Sequence, residues 1–71
     1  GNSDITIELA KGTTYANIKI YNVLGGLVYN KEHNNTADVR VSSKIFKGNG
    51  LYIVSVQTAS QHLTKKLIVN K

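Results

Sequence analysis

The chain has 71 residues and 7.8 kDa, with 9 Lys plus Arg against 4 Asp plus Glu and no Cys, Met, Pro or Trp. That length allows one small domain, and since a domain of about 60 residues buries only roughly 60% of its unfolded surface, its core is thin. Without Cys it has neither a disulfide framework nor a thiolate metal site, and its redox compartment is left open.

The first element expected is a strand over residues 4–9, where Ile5, Ile7 and Leu9 alternate with Thr6 and Glu8 to give one buried and one wet face. Residues 11–14 break it. Residues 16–23 repeat the alternation, with Ala16, Ile18 and Ile20 inward and Asn17 and Lys19 outward. Leu24-Gly25-Gly26 then provides residues able to take a positive φ, so a hairpin into residues 27–32 is expected. A polar tip at His33-Asn34-Asn35 leads to residues 36–42, the cleanest strand, with Ala37, Val39 and Val41 set against Asp38 and Arg40.

Residues 42–47 suit a single helical turn capped by a serine, with Ile45 and Phe46 plugging the end of the core. Gly48-Asn49-Gly50 ends it. Residues 51–58 and 61–69 form a last hairpin joined by Ala59 and Ser60, both arms rich in β-branched residues. The first arm is apolar on both faces, which points to a central strand. In the second, lysines interrupt both phases, which points to an edge, where Lys also discourages further pairing. Six or seven short strands with frequent turns amount to an all-β fold, a small antiparallel sandwich.

The charges do not make a nucleic-acid site. Lys11, Lys19, Lys31, Arg40, Lys44 and Lys47 are scattered, only Lys65, Lys66 and Lys71 gather, and a single Arg is poor material for bidentate phosphate or base recognition. They read as solvated lysines on strand faces. The longest apolar run without Gly is residues 51–54, far below the ~20 residues of a spanning helix. Because the chain begins at Gly1 rather than Met, it reads as a processed piece of a longer protein, with residues 1–3 a linker or added remnant.

Chemistry is sparse. His33 and His62 lack the spacing of a metal site and read as surface histidines. Asp4, Glu8, Glu32 and Asp38 fall at strand ends or on wet faces, and no nucleophile-elbow motif accompanies any Ser. Neither Gly25-Gly26 nor Gly48-Asn49-Gly50 leads from a strand into a helix as a phosphate cradle would. The chain therefore reads as a non-enzyme with no cofactor. Tyr15, Tyr21, Tyr29 and Tyr52 could either stack on sugar rings or pack the core and rim.

One resemblance uses the whole chain. Ile18-Lys19-Ile20-Tyr21-Asn22-Val23-Leu24-Gly25-Gly26-Leu27-Val28 resembles the "v-x-I-y-d-x-x-G-x-x-V" hairpin of the type A C-terminal sorting domains of the type IX secretion system. Gly50-Leu51-Tyr52-Ile53-Val54 resembles their G-x-Y-hydrophobic strand, and Lys66-Leu67-Ile68-Val69-Asn70-Lys71 their closing K-x-hydrophobic-hydrophobic-x-K. The order and spacing agree, and the match ends on a terminal lysine.

The resemblance implies an immunoglobulin-like sandwich over residues 1–71, acting as a sorting signal behind an upstream cargo domain in a Gram-negative bacterium of the Bacteroidetes group. Such cargo reaches the periplasm by an ordinary export signal. An outer-membrane translocon recognises the folded domain, and a sortase-like peptidase at the cell surface then usually removes it and joins the cargo to an anionic lipopolysaccharide. Carried over by position, Lys66, Ile68, Val69 and Lys71 become the recognition residues. Gly25, Val28, Gly50 and Tyr52 become motif residues with turn or core duties. The exposed edge also makes self-association plausible.

The chain departs from the family pattern in two places: it lacks the usual Pro-bearing linker before the first strand, and residues 41–50 run about two residues long, within ordinary loop tolerance. A carbohydrate-binding or adhesive sandwich and a structural terminal domain of a large surface protein are the competing expectations.

Overall fold

A computed structural model describes residues 4–35 and 37–70. In chain order these form β1 (Ile5–Glu8), β2 (Tyr15–Asn22), β3 (Leu27–Asn34), β4 (Asp38–Val41), a 3-10 turn (Ser43–Ile45), β5 (Gly50–Thr58) and β6 (His62–Val69). The strands make two antiparallel sheets, β1-β4 and β3-β2-β5-β6. The result is a small all-β sandwich of unequal layers, two strands over four, where a constant-type immunoglobulin domain has seven strands.

The alternation read from the sequence sets the inner faces. Ala16, Ile18 and Ile20 are fully buried on β2, and Val39 and Val41 close the core from β4. Each of the larger side chains contributes about 1.5–3 kcal/mol by leaving water. β1 lies along β4 in the register Ile5↔Val41 and Ile7↔Val39, so Ile5 and Ile7 pack half-buried against the same core. Phe46 seals one end of the core completely. It arrives there through the 3-10 turn, which Ser42 caps by accepting a hydrogen bond from the Lys44 N–H at 3.2 Å, as the serine-capped turn predicts.

β5 is central, between β2 and β6, and β6 is the sheet edge; both match the reading of the last hairpin. β3 outruns its expected end at residue 32. His33 and Asn34 pair with Ala16 and Tyr15, so the bend falls at Asn35, which takes a φ of +53°. These polar residues are tolerated in a strand because β3 is the other edge of its sheet.

Candidate recognition surface

The pleat divides β6 into two rows. Leu63, Lys65, Leu67 and Val69 pair with Val56, Val54, Tyr52 and Gly50 on the inner face, while His62, Thr64, Lys66 and Ile68 pair with Gln57, Ser55, Ile53 and Leu51 on the outer face. Only Val69 of the inner row is buried, and Leu67 is half-buried. Lys65 and Leu63 are exposed because the small sheet covers only part of the large one. An open groove of about 350 Å³ runs there between β1 and the inner face of β5 and β6. The recognition residues expected from the sequence therefore separate. Lys66 and Ile68 point outward from an edge strand, Val69 is a core residue, and Lys71 lies outside the described residues.

The motif residues have fold duties. Gly25 sits in the β2–β3 turn at φ +88°, a left-handed conformation that costs other residues about 1–2 kcal/mol. The register of this hairpin shifts between Ile20 and Tyr21, stepping past Val28, which packs half-buried against the core. Gly50 opens β5 at φ +145°, open essentially to glycine alone. Tyr52 is buried with its ring edge-on to Phe46 at 4.7 Å between centroids, and its hydroxyl donates to the Gly48 carbonyl at 3.2 Å.

Asn22, part of the hairpin motif, has a turn-holding role that its place in the motif does not announce. Its Oδ1 accepts from the N–H groups of Leu24 at 3.1 Å and Gly26 at 2.8 Å, and its own N–H donates to the Gly26 carbonyl at 2.9 Å. An Asn just before a Gly-containing turn is the signal that could have found it. Asn22→Ala and Gly25→Ala are each expected to cost about 1 kcal/mol. Thermal unfolding should show a loss of roughly 4–8 °C for each, with Asn22→Asp close to the parent. An unchanged midpoint in both alanine variants would remove the turn's structural role.

The four tyrosines do not form one strip. Tyr15 and Tyr21 lie on the outer face of β2, whereas Tyr29 pairs with Ile20 and Tyr52 is in the core on the inner face. The Tyr15 hydroxyl donates to Glu32 Oε2 at 2.7 Å, and that bond, with lesser help from desolvation and the carboxylate's charge, raises its pKa above the ordinary tyrosine value. A raised folded-state pKa gives stability present below about pH 10 and lost as pH climbs through the folded value. The two histidines are apart. His33 is bonded to Tyr29 at 3.3 Å, and His62 shares a 2.7 Å hydrogen bond with Ser55. Among the described residues no three His, Cys, Asp or Glu side chains gather as a metal site would require. No described helix is long and apolar enough to cross a membrane.

A family model described as a secretion system C-terminal sorting domain matches residues 1–70. The chain belongs to that family. It is a sorting signal of type IX secretion, and such signals direct export toward the cell surface or extracellular space of Bacteroidetes-type Gram-negative bacteria. Sorting domains of this family are not catalytic and are recognised by the type IX machinery. No curated protein and no solved structure matches the chain.

Proposed function

We propose that residues 1–71 act as one detachable module that the outer-membrane translocon reads through β6. In this reading an upstream cargo domain shares the chain, and a sortase-like peptidase releases the module at the cell surface. The observation that carries it is the division of labour in β6. Val69 and Leu67 hold the strand to the core, while Lys66 and Ile68 project from an edge strand that, among the described residues, pairs on one side only, with β5. An edge of this kind offers backbone groups for strand addition and side chains for selection.

The test fuses the 71-residue chain to a fluorescent protein carrying an ordinary export signal, in a bacterium that has type IX secretion. The intact fusion is expected in the medium or on the surface, and the fusion lacking residues 66–71 in the periplasm. Retention of both in the periplasm would refute the reading.

A further inference from the structure

The β2–β3 turn and the closing segment lie some 40 residues apart in the sequence, yet the register brings them to one end of the same sheet face. Leu27 pairs with Tyr21, Tyr21 with Ile53 and Ile53 with Lys66, which makes one row across all four strands on the outer face. The next row carries Leu51 and Ile68, beside the turn that follows Asn22. Leu24 is 93% exposed, Ile68 76%, Val23 65% and Leu27 52%. Scattered apolar residues on a surface are ordinary, but a contiguous group of them marks a place of contact.

Leu24 and Ile68, the most exposed of these, stand outside the core cluster. Asn22 and Gly25 hold the turn, so a leucine between them contributes nothing to it, and Leu67 and Val69 anchor the strand on either side of Ile68. At this end of the outer face the charged side chains of the described residues are lysines. Lys66 lies within the group, and Lys19 is in the adjoining row, paired with Ser55. Glu8 and Asp38 belong to the small sheet, and Glu32 is at the far end of the outer face, held by Tyr15. Asp4 reaches only a cleft beside Ile68 from the β1 side.

We propose that this end of the outer face is a docking surface for a protein that presents an apolar patch fringed by carboxylates. Resting on the sorting reading above, that protein is the translocon, which engages the β2–β3 turn together with β6. A second copy of this chain does not fit. A two-fold pairing of this end of the face would bring Lys66 and Lys19 toward their own counterparts, and among the described residues the face's carboxylate, Glu32, lies at the far end, already bonded to Tyr15.

The same fusion tests the surface with three variants: Leu24→Ser combined with Ile68→Ser, Lys66→Glu, and Glu32→Gln at the far end as a control. With the intact fusion exported, the first two are expected to fall by at least about tenfold, as loss of central contact residues does. Their unfolding temperatures should stay near the parent's, and Lys66→Arg and Glu32→Gln should export normally. If the intact fusion is itself retained, the sorting reading fails. If it is exported and the patch variants are exported equally well, the sorting reading stands and the docking surface is wrong. The purified chain is also mixed with anionic phospholipid vesicles. Cosedimentation that the patch variants abolish would make a lipid surface the occupant and overturn the protein partner, whereas the expected result is no cosedimentation.

Discussion

Phe46→Ala is expected to bring the domain to the edge of unfolding at room temperature. A chain of 71 residues, at about 0.05–0.15 kcal/mol per residue, has roughly 4–11 kcal/mol of stability in all. Phe46 is completely buried between the two sheets, and its ring is the edge-to-face partner of Tyr52. Truncation to Ala removes its transfer free energy and leaves a cavity, together about 3–5 kcal/mol. The Tyr52 ring then loses its partner, and the hydroxyl bond to Gly48 loses the packing that positions it. Urea or thermal unfolding should show a midpoint drop of roughly 15–30 °C, with Phe46→Leu recovering much of it. A drop of only a few degrees would mean that the core is not organised around this residue.

The second large effect separates two neighbours in the closing motif. Val69→Asp is expected to cost about 3 kcal/mol, because a carboxylate would have to be buried without a partner beside Gly50 and the 3-10 turn. The cost has a ceiling, since the strand end can fray and let the charge reach water instead. Ile68→Asp, one position earlier and largely exposed, should change stability by less than about 0.5 kcal/mol. Both are motif positions, and both should impair export for different reasons: one fails to hold β6 in place, the other holds it with the wrong surface. Equal destabilisation by the two would contradict the assignment of faces in β6.

The alternation of Ile5 and Ile7, of Ala16, Ile18 and Ile20, and of Val39 and Val41 was readable because a period of two assigns each side chain to a face before any neighbour is known. Choice of neighbour was not readable. Nothing in residues 5–8 says that they pair with residues 38–41 rather than with β2, since alternation defines faces and leaves partners to topology. The end of β3 was misplaced because His33 and Asn34 look like turn residues, and only pairing with β2 makes them strand.

The proposed recognition surface was legible by halves. The motifs picked out the β2–β3 hairpin and the end of β6, and the lysines of β6 announced an edge. That Val69 turns inward while Ile68 turns outward needed the phase of β6 to be settled by its register with β5. That Leu27 and Ile68 share one end of the outer face, at the end that carries the turn with Leu24, could not be read at all, because it depends on the strand order β3-β2-β5-β6.

The pairing of β1 with β4 and of β2 with β5 also sets how the chain reaches this state. Residues 5–8 must find residues 38–41, and residues 16–22 must find residues 52–58, so most of the ordering entropy is spent before the sheets reward it. Such non-local topologies fold in roughly milliseconds to seconds. With no proline and no cysteine in the chain, neither prolyl isomerisation nor thiol oxidation adds a slower phase. Refolding should follow a single exponential governed by strand assembly alone, so the folded signal would form without help from an isomerase or an oxidant.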